Sequence, residues 1–358
     1  MYHWGLHAWA IYAVVGLSLA FFYHNKGMPL TIRSVFYPLI GDRIWGWSGH
    51  LIDIVAVLAT MFGLATSLGL GAAQASGGLH FLFGIPDEIN TRIGIVVAVS
   101  FIAIISVVRG LDGGVKVLSN INMGVAALLL LFVFIAGPTL LIAQGVGKTA
   151  VNYLGDIIPL SNWLNREDAT WMQDWTAFYW AWWVSWSPFV GMFIARISRG
   201  RTIRELIIAV LLVPTMVTLV WMSTFGLSAL DQAQNGVGAL AQGASSANLA
   251  TFQMLENLPF AQITTGLGIL LVLVFFVTSS DSGSLVIDSI TAGGKIDAPV
   301  PQRVFWAVMQ GLIAGALLFG GGKEALSALQ AGAVATGLPF TIVLLLMCVS
   351  LYKGLKGG

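Results

Sequence analysis

Phe178-Tyr-Trp-Ala-Trp-Trp-Val-Ser-Trp-Ser-Pro-Phe-Val-Gly-Met-Phe193, followed after Ile194 by Ala195-Arg-Ile-Ser-Arg-Gly-Arg-Thr-Ile-Arg-Glu205, is the stretch on which the reading of this chain turns. It is an apolar span dense in tryptophan that ends in Arg196, Arg199, Arg201 and Arg204. At about 100° per residue a helix puts Trp182 and Trp186 on one face, with Tyr179 and Trp183 flanking it. Such a wall of π-faces suits a bulky solute of permanent positive charge. A quaternary ammonium donates no hydrogen bond and is held best by aromatic quadrupoles. The competing reading is an aromatic belt at the membrane surface, but belts gather near span ends, and these three indoles sit mid-span.

The surroundings of that stretch are equally apolar. Of 358 residues, 57% are hydrophobic and 9% charged, with a mean hydropathy of +0.86. A water-soluble surface needs far more charge, so lipid is the expected solvent. A net charge of +1 and the lack of basic runs beyond short loops argue against nucleic acid as a partner. The single cysteine, Cys348, lies in an apolar run and is expected to pack in the core. His3 and His7 read as interfacial or structural, and no transition-metal ligand spacing occurs. Gly69-Leu-Gly71 and Gly320-Gly-Gly-Lys323 fail as nucleotide loops, since no strand precedes either and Glu324 follows the lysine. Neither a zinc-protease motif nor a serine elbow is found, so the chain does not read as an enzyme.

Apolar stretches long enough to cross a bilayer occur at 6–23, 51–71, 91–108, 118–143, 170–195, 203–227, 262–288, 303–321 and 325–353. That predicts an all-α polytopic membrane protein of about nine transmembrane helices. Residues 151–165 mix polar and apolar positions and predict a helix lying in the interface. With the loops after alternate spans cytoplasmic, all but Arg92, Lys148, Arg166 and Lys323 of the 17 lysines and arginines fall inside. The C-terminus is then cytoplasmic.

Three segments carry a family resemblance: Met1-Tyr-His-Trp-Gly-Leu-His-Ala-Trp-Ala-Ile-Tyr12, residues 178–205, and Phe275-Phe-Val-Thr-Ser-Ser-Asp-Ser-Gly-Ser284. They resemble the betaine/carnitine/choline transporters, and within these the sodium-coupled glycine betaine carriers. The resemblance implies a LeuT-like inverted-repeat transporter core, located in the cell membrane, for this family the bacterial inner membrane. It implies uptake of a quaternary-ammonium osmoprotectant by sodium symport and alternating access, with sodium as coupling ion and no other cofactor. It also implies a homotrimer contacted through the amphipathic helix. Read this way, residues 1–358 form one transporter domain: 1–145 the remainder of the first repeat, 146–169 the interfacial helix and 170–358 the second repeat. Such cores have five helices per repeat, so the glycine-rich first core helix is expected to be missing and the chain to be truncated at its N-terminus. Broken helices of that kind supply free backbone groups to substrate and ion.

The resemblance also assigns residues. Trp182, Trp183 and Trp186 form the substrate box, and Trp4, Trp9 and Tyr12, within about 140° of helical arc, match aromatic positions set against the substrate. Phe275 through its carbonyl, Thr278 and Ser279 match one sodium site. The alternative for such hydroxyls is back-bonding to their own helix. Asp281 is expected in a cytoplasmic gate. Thr60 and Phe189 match part of a second sodium site, but Leu64 stands where its second hydroxyl belongs, which puts that ion in doubt. No carboxylate lies among the indoles, which favours a zwitterion over choline because a buried net cation needs a counter-charge. Two readings stay open beside it: a non-transporting fragment, and a sodium-independent or proton-coupled choline or carnitine carrier.

Overall fold

The computed structural model describes residues 1–109, 115–244, 246–295 and 299–357, and within helices it leaves the side chains of Val115 and Lys323 undescribed. Among the described residues all regular structure is helical. The principal helices are α1 (Leu6–Ala20), α2 (Trp47–Phe83), α3 (Ile89–Arg109), α4 (Val115–Ala136), α5 (Thr139–Ser161), α6 (Phe178–Ile197), α7 (Ile203–Gln234), α8 (Ala261–Thr291), α9 (Val300–Gly321) and α10 (Ala325–Lys356).

Eight of these, all but α5 and α6, are long and apolar enough to cross a membrane, α1 by counting its flanking turns Tyr2–Asn25. The chain is therefore an all-α polytopic membrane protein. Among the described residues eight helices meet that measure; the ninth expected span, α6, is 20 residues long but falls short of it because tryptophan, tyrosine, serine and proline dilute its mean hydropathy, although it lies beside α1 from end to end. It is prolonged at its start by Ala169–Trp171 and a π-helical turn, Met172–Ala177.

Local chemistry sets the boundaries. α2 has 37 residues, about 55 Å against a hydrocarbon core of about 30 Å, and ends where Gly84 turns left-handed at φ 67° and donates to the His80 carbonyl. The expected span 118–143 is interrupted at Gly137-Pro138, since proline has no N–H to continue the ladder. The amphipathic helix consequently begins at Thr139, earlier than expected. Leu140, Val151, Leu154 and Ile158 on it are exposed. α7 starts on a capping box, with the Glu205 N–H donating to Thr202 Oγ1 at 3.2 Å and the Thr202 N–H to Glu205 Oε2 at 2.7 Å.

Packing centres on α2. Glycines on it admit three neighbours at close range: Gly63 meets Trp186 of α6, Gly71 meets Phe276 of α8, and Gly69 meets Leu329 of α10. The largest core gathers residues of α1, α2, α6, α8 and α10, and a second lies between α2, α3, α8, α9 and α10. Cys348 does not join either. It is exposed, because the face of α10 that carries it also carries the exposed Leu345, Val349 and Tyr352.

Candidate functional site

α1 and α6 run parallel and touch along their length. His3 Nε2 lies 2.9 Å from Thr176 Oγ1 at one end, and His24 Nε2 lies 2.9 Å from the Ala195 carbonyl at the other. Two glycines allow the approach. A Cβ on Gly16 would sit 2.6 Å from Ile194 Cγ2, and one on Gly191 would sit 2.5 Å from Val15 Cγ1. This brings the aromatic edge of α1 against α6.

Trp183 is the meeting point. Its ring centroid lies 5.1 Å from Trp4, 5.8 Å from Trp9 and 4.9 Å from Tyr12. Trp9 and Tyr12 face each other edge-on at 5.4 Å. These separations fall in the favourable range for tilted aromatic pairs. Trp183 and Tyr12 are buried, Trp4 and Trp9 half-buried. The indole N–H groups of Trp9 and Trp183 are buried with no acceptor among the described residues.

Trp182 and Trp186 share a face, as the helical period requires, and that face is turned to α2. Nε1 of Trp182 lies 3.0 Å from Ser67 Oγ and 3.3 Å from the Gly63 carbonyl. Nε1 of Trp186 lies 2.9 Å from Ser67 Oγ and 3.1 Å from the same carbonyl. Ser67 Oγ itself donates to the Gly63 carbonyl at 2.9 Å. Trp182 still borders the ring cluster, edge-on to Trp4 at 6.2 Å, whereas Trp186 packs on Phe189 at 5.4 Å. Three rings thus surround Trp183, and two indoles are fastened to a neighbouring helix.

The hydroxyl-rich turn of α8 divides between two directions. Thr278 Oγ1 donates to the Phe275 carbonyl at 3.0 Å, so two of the three expected sodium ligands are in contact, in the back-bonded geometry. Phe275 is exposed, and Ser279 is half-buried next to Thr278. Ser280 and Ser284 turn inward to Gln310 of α9, with Ser280 Oγ donating to Gln310 Oε1 at 3.1 Å and Gln310 Nε2 donating to Ser284 Oγ at 3.0 Å. Asp281 is buried too, and its Oδ2 accepts from Ser106 Oγ of α3 at 2.9 Å. Asp281 therefore joins α8 to α3 within the bundle.

On α2 Thr60 is buried and donates to the Ala56 carbonyl at 2.8 Å, and on α6 Phe189 is buried against Trp186 and Phe193. Leu64 fills the space beside Gly283 of α8, where an added Cβ would come within 2.3 Å of Leu64 Cδ1. Thr66 points elsewhere and donates to the Leu329 carbonyl at 2.8 Å. Leu64 thus leaves no hydroxyl one turn from Thr60, and Ser67, which returns to that face, is about 10 Å further along.

Ser67, Gly63, Ser106 and Gln310 were not singled out as functional from the sequence. For Ser67 the sequence offers only a hydroxyl one turn from Gly63 in an apolar span; that α6 is the helix it meets is seen only in the fold. Ser106 and Gln310 each stand alone in apolar runs, and a lone polar residue in a hydrocarbon span is a site hypothesis in its own right. Chemically, the arrangement offers π-faces to a soft cation, hydroxyl and carbonyl oxygens to a hard one, and no paired acid. Among the described residues no group of His, Cys, Asp or Glu gathers as metal ligands.

A family model described as betaine/carnitine/choline family transporter matches residues 1–358. Glycine betaine transporter 1 of Vibrio parahaemolyticus is 63% identical over 357 residues, covering 99% of this chain and 68% of the relative. A glycine betaine/proline/choline/ectoine transporter of the same organism is 62% identical, covering 99% of this chain and 63% of the relative. The glycine betaine transporter OpuD of Bacillus subtilis is 44% identical over 99% of this chain and 69% of its own length. The chain thus spans about two thirds of the length of the relatives it matches.

Proposed function

Because the chain belongs to the betaine/carnitine/choline transporter family, we propose that it carries glycine betaine or a related quaternary-ammonium osmolyte across a bacterial cell membrane, by alternating access and coupled to sodium. The observation that carries this is the ring cluster, in which Trp9 and Tyr12 of α1 and Trp4 of the 3-10 turn Tyr2–Trp4 before it converge on Trp183 of α6. Rings that face one another inside the bundle are placed for a cation, whereas a belt would turn them to lipid. The trimethylammonium group sits against Trp183 and the α1 rings, with Trp182 closing the side next to Trp4. Trp186 supports Trp182 through their shared acceptors on α2. A zwitterion suits the cluster better than choline, since no acid stands among the rings to balance a net charge.

Phe275 O, Thr278 Oγ1 and Ser279 form the sodium site of this reading, with the ion displacing the Thr278 back-bond. Thr60 and Phe189 contribute no second ion while Leu64 fills the gap beside Gly283, so coupling runs through one sodium. Asp281 acts in the gate on the side where α8 meets α3. The core is a LeuT-like inverted repeat, 1–145 and 170–358, and the packing of α2 against α8 in one core is the arrangement expected of symmetry mates. The lysine and arginine bias puts the C-terminus in the cytoplasm. The exposed apolar residues of α5 support a homotrimer contact there.

The test is uptake of radiolabelled glycine betaine by the 358-residue chain in proteoliposomes. An inward sodium gradient should drive accumulation, and an equal potassium gradient should not. Accumulation independent of sodium would leave the family intact but remove the coupling. Failure both to bind betaine and to accumulate it would favour a non-transporting fragment.

A further inference from the structure

A cavity of about 490 Å³ opens between α2, α9 and the end of α8 at Ile290 and Thr291, and none of the ring-cluster residues or of Thr278–Ser284 lines it. Val57 and Met61 of α2 and Met309 and Ile313 of α9 form its apolar walls. Its mouth is different in kind. Arg33 lines it and is paired through Nε with the buried carboxylate of Asp53, His50 stands beside them, and the indole of Trp306 completes the rim. Nε1 of Trp306 is buried with no acceptor among the described residues, and an unpaired buried donor costs free energy until an acceptor reaches it. The lining residues Ile54 and Leu58 on α2 are exposed, as are Phe305 and Leu312 on α9 beside the slot, so the cavity opens toward the bilayer. From Trp306 to Ile313 the wall runs about 10 Å along the helix, against about 15 Å for one leaflet of hydrocarbon.

An apolar slot of that depth, topped by a hydrogen-bond donor and then by the Arg33–Asp53 pair and His50, has the polarity profile of one phospholipid chain. We propose that this slot holds a membrane phospholipid. An acyl chain lies along Met61 and Met309, an ester carbonyl accepts from Trp306 Nε1, and the phosphate faces Arg33 and His50. Neither the substrate nor sodium enters this argument, which needs only that the chain is embedded in a membrane.

The 358-residue chain in nanodiscs, with a phosphatidylglycerol bearing a diazirine midway along one acyl chain, tests this by photolabelling and peptide mapping. Adducts should concentrate on the peptides containing Met61 and Met309, at least about fivefold over those of lipid-facing Ile342 and Leu345 on α10. Filling the slot with Met309→Trp should abolish the excess. Trp306→Phe should lower it about threefold to tenfold, the range for one lost hydrogen bond. Adducts spread evenly over α10 and the slot would overturn the proposal, and the unmutated chain alone decides that. Labelling by a diacylglycerol with the same chain at undiminished yield would overturn the role of Arg33 and His50.

Discussion

Replacing Gly191 by alanine should weaken betaine binding although the residue touches no ring. The added Cβ would lie 2.5 Å from Val15 Cγ1, 2.8 Å from Val15 Cβ and 3.1 Å from the Gly16 nitrogen. Carbon atoms settle at about 3.5–4.0 Å, so α1 must withdraw from α6 by about 1 Å. Overpacking of this kind costs about 1–3 kcal/mol. The same withdrawal carries Trp9, now 5.8 Å from Trp183, to the outer edge of aromatic contact at about 7 Å. A solute held between them then loses part of its ring contacts, each worth about 0.5–2 kcal/mol. A net loss of about 1.4 kcal/mol is a tenfold weaker Kd. Equilibrium binding of labelled betaine to purified protein reads this directly, with Tm measured alongside. Val15→Ala in the same chain should restore part of the affinity, since it removes the atom in closest conflict. Gly315→Ala, where nothing lies within 4 Å of an added Cβ, should leave binding unchanged. Affinity for Gly191→Ala within about twofold of the parent would refute the idea that the α1–α6 approach builds the site.

Ser67→Ala removes the hydroxyl shared by two indoles and leaves both N–H groups competing for the Gly63 carbonyl. Uptake should fall severalfold, and hydrogen exchange in α6 around Trp182 should accelerate. Leu64→Thr supplies the hydroxyl missing one turn from Thr60, so the sodium dependence of uptake should steepen from hyperbolic toward sigmoidal. Thr278→Ala should raise the sodium concentration for half-maximal uptake without changing betaine affinity at saturating sodium. At the loop between α2 and α3, Asp87 accepts from Ser76 Oγ at 2.7 Å and from Arg92 Nε and Nη2 at 2.9 and 3.0 Å. Burial pushes its carboxyl up, but these bonds outweigh burial and hold it below the ordinary aspartate value. Its stabilisation is therefore present above the unfolded pKa of about 4 and lost as pH falls through the folded value. Thermal melts should show Asp87→Asn less stable at pH 7, with the gap closing below about pH 4.

Much of this architecture could be read from hydrophobic length alone, because a bilayer imposes a span of about 20 residues. Each strongly apolar stretch corresponds to a long helix, and most of 151–165 falls within α5, which begins at Thr139 and ends at Ser161. Length could not locate the α4–α5 break, since the apolar run continues to residue 143 and only the proline decides. Composition also misjudged Cys348, because an apolar run in a membrane protein packs on one side only and the other side meets lipid. At the site, helical periodicity put Trp182 and Trp186 together but could not say which neighbour they face. That depends on Gly63 and Ser67, more than a hundred residues earlier, and on glycines whose role is visible only once two helices meet.

The division of labour on α6 follows from that geometry. Trp183 is about 100° around the helix from Trp182, so one face can be fastened to α2 while the next receives solute. The fastening uses indole N–H groups, and under the proposed function the receiving face would use ring surfaces. A solute that rearranges Trp4, Trp9 and Tyr12 therefore does not break the bonds from Trp182 and Trp186 to Ser67. Trp183→Phe keeps a π-face and should cost little beyond quadrupole strength, whereas Trp183→Leu keeps bulk and should lose binding by about tenfold or more, as removal of a desolvated cation–π contact requires. Equal betaine affinity for the two variants would show that Trp183 fills space rather than holding charge, and the substrate class proposed here would fall with it.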